Sequence, residues 1–154
     1  MKTAYRVFAY LIALEVVVQA SMIAFALAGL GIWVDKDGGV LDKAAMESDL
    51  EFTGVVGFMV HGLNGMMLIP ALALAFVIVA LFAKIPRGVA WALTTLGLVI
   101  LQVTLGLFGH ESAYFGMLHG INALVLFSVA VMAGKRVRTD ATTGDHAANA
   151  PASS

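Results

Sequence analysis

Four apolar runs dominate the chain, at about residues 5–33, 52–83, 87–109 and 114–134. Each reaches the ~20 residues with which an α-helix crosses a ~30 Å hydrocarbon core. In that core no water satisfies backbone N–H and C=O groups, so such a segment must satisfy them internally as a helix. The chain of 154 residues is 60% hydrophobic and 12% charged, with mean hydropathy +0.93, well outside the range of water-soluble domains. The expected architecture is therefore all-α: an integral membrane four-helix bundle, with one transmembrane domain over residues 1–138 and an external loop at 34–51. The second run is longer than one crossing requires, which predicts a tilt or a projection from the bilayer. Pro70 within it removes a backbone donor and predicts a kink.

Charge placement predicts the orientation. Lys2, Arg6, Lys84, Arg87, Lys135, Arg136 and Arg138 all fall on one side of the four spans. Lys36 and Lys43 fall on the other, beside Asp35, Asp37, Asp42, Glu47, Asp49 and Glu51. The positive-inside rule then puts both termini in the cytoplasm and the acidic loop outside a cell membrane. The N-terminus resembles a signal peptide, with Lys2 and Arg6 before an apolar run and Ala26-Leu27-Ala28 before Gly29. Its part in an internal repeat, described next, favours a retained helix. Residues 139–154 are rich in Ala, Thr and Ser without apolar periodicity and read as a disordered cytoplasmic tail, in which His146 is inert. A net charge of −1 without a basic patch gives no sign of nucleic-acid binding.

Within the apolar runs two heptapeptides are near copies. Met59-Val60-His61-Gly62-Leu63-Asn64-Gly65 and Met117-Leu118-His119-Gly120-Ile121-Asn122-Ala123 share four of seven positions, and the rest exchange like for like. The repeat reaches back to the preceding helices, where Val16–Met22 resembles Val99–Leu105 and each carries one glutamine, Gln19 and Gln102. The chain thus reads as two repeated helical hairpins, each a glutamine helix followed by a histidine helix. They differ mainly in loop length, with Gln19 and His61 42 positions apart and Gln102 and His119 17 apart. The extra length is the acidic loop, whose 41–52 portion suits a short surface helix. His61 lies ten residues past Glu51 and His119 eight past Glu111. At 1.5 Å per residue, both imidazoles are expected ~12–15 Å from those outer charges, at one level in the outer half of the bilayer.

An imidazole inside a membrane span is costly, and a duplicated pair points to a shared partner. Gly57, His61 and Gly65 share a helical face, as do Gly116, His119 and Ala123, and as do Gln102, Gly106 and Gly109 on the third helix. Faces cleared of bulk around paired imidazoles suit a porphyrin whose iron takes one axial nitrogen from each side. With no cysteine, thiolate ligation and c-type attachment are excluded, so the group is expected to be non-covalent, read as haem b, with His61 and His119 as the metal ligands; the sequence does not fix the haem type further. Asn64, Asn122, Gln19 and Gln102 read either as groups orienting the imidazoles or as plain interhelical hydrogen bonds. Small residues also serve helix packing alone. His110, at the outer end of the third helix beside Glu111, is a candidate for a haem propionate or proton transfer, or an exposed loop residue. Glu15, the one acid within a span, reads as snorkelling, pairing with a base such as Arg87, or relaying protons. Met59 and Met117 invite Cu(I), but two residues before a histidine they point to another face.

With these residues in hand, the chain resembles one four-helix half of the haem A synthase family and, more broadly, small four-helix cytochrome b-like membrane proteins. The best local match is Leu101-Gln102-Val103-Thr104-Leu105-Gly106 followed by Leu118-His119-Gly120, and the likeness spans roughly residues 5–134. It implies haem between paired histidines on the second and fourth helices, and so the axial role for His61 and His119. That family places a glutamate before its first histidine and a basic residue after it, where this chain has Met59, Val60 and Gly62. One bundle with one histidine pair leaves no second site for a substrate haem, so haem A synthesis by this chain alone is not expected.

Three functions are consistent with the sequence. One is a b-type haem protein for electron transfer or haem handling, working with a redox partner or a larger membrane complex in the lipid bilayer. The second is a cofactor-free accessory or assembly subunit of such a complex. The third, a haem-modifying or quinone-linked enzyme acting as a homodimer, ranks last because no catalytic acid–base pair is evident.

Overall fold

The computed structural model describes residues 1–46 and 48–148, with side chains for 1–45, 48–109 and 111–137. It is all-helical, with no strand among the described residues. The elements are α1 (Lys2–Lys36), a one-turn α2 (Lys43–Met46), α3 (Val55–Leu63), a π-helical turn (Asn64–Leu68), α4 (Ile69–Ala83), α5 (Gly88–Leu107), a 3₁₀ turn (Phe108–His110) and α6 (Ala113–Ala148). Four helices are long and apolar enough to cross a membrane: Lys2–Lys36, Val55–Ala83, Gly88–Leu107 and Ala113–Val137.

Local chemistry explains the boundaries. α1 has no proline and ends before Gly38, whose φ of 73° only glycine adopts without strain. α2 is the short surface helix expected within 41–52, begun by Asp42, whose Oδ1 accepts from Ala45 N at 2.8 Å. The kink expected at Pro70 takes the form of the π turn immediately ahead of it. Pro70 cannot donate to the carbonyl one turn back, and its ring crowds that carbonyl, so widening the preceding turn relieves both. α6 runs to Ala148, beyond Thr139, where the sequence suggested the start of a disordered tail. Alanines at 141, 147 and 148 favour continuation of a helix already formed upstream. Residues 149–154 lie outside the described residues.

The chain divides into two compact units, residues 17–68 and residues 1–16 with 69–154. In the larger unit Ala73, Phe76, Ala80 and Ala83 of α4 face the core together with Leu126, Ala130 and Ala133 of α6. The outward face of α4 carries Leu74, Ile78, Leu81 and Phe82, each more than half exposed. Small residues inside and large apolar residues outside is the arrangement helices adopt when lipid is the solvent, because lipid does not expel apolar side chains and close backbone packing supplies the attraction. Tyr5 packs on Phe76 at 4.7 Å between ring centroids and donates its hydroxyl to Gly88 O at 3.2 Å. Buried Thr95 is satisfied by its own helix, donating to Trp91 O at 2.9 Å.

In the smaller unit, α1 and α3 run antiparallel along a seam of small residues. A methyl on Gly29 would collide with the Thr53 carbonyl, one on Gly54 would lie 2.7 Å from Phe25 O, and one on Gly57 would collide with Met22 O. Gly54 also has φ of 105°, which opens α3 in a conformation side chains resist. Beyond the seam, Trp33 stacks on Phe52 and holds the loop to the helix end.

Candidate functional site

The glycine seam sets the reach of His61. Gly57 lets α3 touch α1 at Met22 and Ala26, and one turn further along α3 the His61 ring meets α1 again. There His61 Nδ1 lies 3.1 Å from the carbonyl oxygen of Gln19. An amide oxygen has no proton to give, so Nδ1 donates, and in the neutral ring Nε2 carries the lone pair. Gly65, one turn past His61, makes room for the Gln19 side chain, which comes within 3.4 Å of where a methyl would stand. The Gln19 carboxamide is buried at both Nε2 and Oε1 and makes no hydrogen bond.

The larger unit contains the same bond. His119 Nδ1, on α6, lies 3.0 Å from the carbonyl oxygen of Gln102 on α5. Here too the carbonyl can only accept, and Nε2 becomes the nitrogen with the lone pair. Gly106 lies directly against the ring, since a methyl there would stand 3.1 Å from His119 Cε1. Asn122, three residues after His119 and 6% exposed, donates through Nδ2 to Leu98 O at 3.0 Å and to Gln102 Oε1 at 2.7 Å. The glutamine that holds the histidine by its backbone is thus held by the asparagine through its side chain.

The remaining candidates fall at varied places. Gly57 is buried in the α1–α3 seam, and Gly65 faces Gln19. Asn64 opens the π turn, and Ala123 is half-buried on α6. Gly116 is exposed, and a methyl there would meet nothing within 4 Å. The His110 side chain lies outside the described residues. His61 belongs to the smaller unit and His119 to the larger. Among the described residues no group of three or more His, Cys, Asp or Glu side chains gathers to hold a metal.

Sequence reasoning missed the backbone carbonyls of Gln19, Leu98 and Gln102. Every residue has such an oxygen, and the only indirect signal was the glutamine recurring one helix before each histidine. No protein-family model, curated relative or solved structure matches the chain.

Proposed function

We propose that the chain is a membrane protein that binds one non-covalent haem b, which Nε2 of His61 and Nε2 of His119 would hold. The observation that carries this reading is the pair of equivalent bonds, His61 Nδ1 to Gln19 O and His119 Nδ1 to Gln102 O. Metal-ligating histidines characteristically donate the far ring N–H to a carbonyl or carboxylate, which fixes ring orientation and raises the basicity of the ligating nitrogen. Gly106 adds to the fit by giving the Cε1–Nδ1 edge of the His119 ring room to reach Gln102 O. The matched heptapeptides and these matched bonds support two repeated hairpins as the architecture.

Such a haem, held by two imidazoles, would supply a one-electron iron couple. The residues of this chain would orient both rings, set their tautomers and keep water from them. Electron transfer or haem handling beside a redox partner or a larger membrane complex follows more readily than catalysis by this chain alone. By the distribution of basic residues, the protein sits in a cell membrane with both termini in the cytoplasm.

Visible spectra of detergent-purified protein, oxidised and dithionite-reduced, with a pyridine haemochrome assay, test the reading. A sharp reduced α-band with near-stoichiometric haem b is expected, lost in His61→Ala and in His119→Ala. Protein that stays colourless after expression with added haem would overturn it.

A cofactor-free accessory subunit is the second reading, favoured by one observation. Gly116 and Gly120 stand four apart on α6, exposed, and a methyl on either would meet nothing within 4 Å. That spacing suits close approach of another transmembrane helix. In this case the histidine variants alter assembly with a partner and no spectrum exists to lose.

A further inference from the structure

The larger unit gathers positive charge at the end where α1 and α5 begin and α4 and α6 pass their apolar stretches. Tyr5 near the start of α1 is bonded to Gly88 at the start of α5, and the Arg136 guanidinium of α6 lies 4.8 Å from the Trp91 ring centroid one turn along. Ile85, 7% exposed, anchors the short α4–α5 connection in the same core. Lys84 and Arg87 flank that anchor, Arg6 follows Tyr5 and Lys135 precedes Arg136, so six basic residues including Lys2 belong to this end. The nearest acid on α1 is Glu15, nine residues past Arg6 and so ~14 Å along the axis.

Two features go beyond ordinary basic flanks. Lys84 and Arg87 both hold left-handed backbone, with φ of 53° and 59°, at positions where glycine would fit without strain. Charged residues thus stand where the backbone conformation disfavours a side chain. Three of the cations also stand within a turn of exposed apolar side chains: Lys84 after Leu81 and Phe82, Arg6 before Val7, and Lys135 after Met132. Cations for a phosphate, within a turn of surface for acyl chains, match an amphiphile better than a soluble anion.

We propose that this end of the larger unit binds the headgroup of an anionic phospholipid, its phosphate held by exposed Lys84, Arg87 and Lys135. Arg136 is engaged with Trp91, which makes that indole a neighbouring reporter. The site is independent of any haem.

The full chain carrying Trp33→Phe, so that Trp91 is the sole tryptophan, is reconstituted in phosphatidylcholine vesicles doped with brominated phosphatidylglycerol or brominated phosphatidylcholine. Quenching of Trp91 is read against the unbrominated lipid in each case. The anionic lipid is expected to be enriched at Trp91 roughly fivefold or more over the zwitterionic one. Lys84→Gly with Arg87→Gly, which relieves the left-handed positions and so preserves the fold, should reduce the enrichment several-fold, and adding Lys135→Gln should abolish it. Lys135→Gln alone, on a regular helix, gives a second variant in which partial loss is expected. Equal quenching by the two lipids, or enrichment unchanged in the triple variant, would overturn the proposal. Displacement of the brominated lipid by millimolar inorganic phosphate would assign the cations to a soluble anion and overturn it as well.

Discussion

Asn122 Nδ2 donates to Gln102 Oε1 at 2.7 Å, and through that bond the asparagine three residues after His119 steadies the glutamine whose carbonyl accepts from His119. The counterpart of Gln102 in the other unit, Gln19, has the same backbone bond to a histidine but a buried carboxamide that bonds to nothing. Residues in matching sequence positions therefore contribute to stability with opposite signs.

Replacing Gln19 by Leu removes an unsatisfied buried amide and keeps the backbone oxygen that His61 uses. An unsatisfied buried polar group costs ~1–3 kcal/mol, so Gln19→Leu should leave stability unchanged or raise it by about 1 kcal/mol. Denaturant titration in detergent micelles measures this, and clear destabilisation would show that the carboxamide has a partner.

Replacing Gln102 by Leu should do the reverse. It deprives Asn122 of one acceptor in an apolar setting, where interhelical hydrogen bonds are worth ~0.6–2 kcal/mol. Loss of about 1 kcal/mol is expected in the same titration, and Asn122→Leu, which breaks the bonds to both Leu98 and Gln102, should lose as much or more.

Two glycine sets separate packing from open surface. Gly57→Ala drives a methyl into the Met22 carbonyl and should part α1 from α3, at a cost of ~1–3 kcal/mol typical of overpacking. Gly116→Ala and Gly120→Ala meet nothing and should gain up to about 1 kcal/mol each from helix propensity. Thermal unfolding of the isolated protein checks both. Should Gly116→Ala stabilise the purified chain yet weaken its association with another membrane protein, the accessory-subunit reading gains.

Gly106→Ala presses on the His119 ring from 3.1 Å at Cε1 and 3.2 Å at Nδ1, the edge that bonds to Gln102 O. If His119 ligates haem, the reduced α-band should shift or broaden while the haem:protein ratio stays within about twofold of the unaltered chain, a modest geometric disturbance compared with removal of the ligand. An unchanged band in this variant would place the haem away from His119.

Much of the architecture was legible because span length is a one-dimensional property. A run of ~20 apolar residues has one low-cost fold in hydrocarbon, so the four helices could be read without knowing their neighbours. The π turn was less legible. Pro70 announced a distortion, but whether a helix kinks or widens depends on what surrounds the displaced carbonyl. At the candidate site the duplicated motif marked the histidines and the glutamines. It was silent on their connection, since His61 and His119 bond to backbone oxygens that carry no residue identity. Nor did it separate Gln19 from Gln102, whose environments diverge although their sequence contexts correspond.

The alanine-rich inner face of α4, with Ala73, Ala80 and Ala83 beside Ile69 and Phe76, reverses the usual map of mutational tolerance. In a water-soluble helical protein, truncating the largest side chains does the most harm. Here the largest side chains mostly face outward, so a saturation scan should find Leu74, Ile78 and Leu81 permissive to any apolar replacement. The same scan should find the alanines intolerant of a single added methylene.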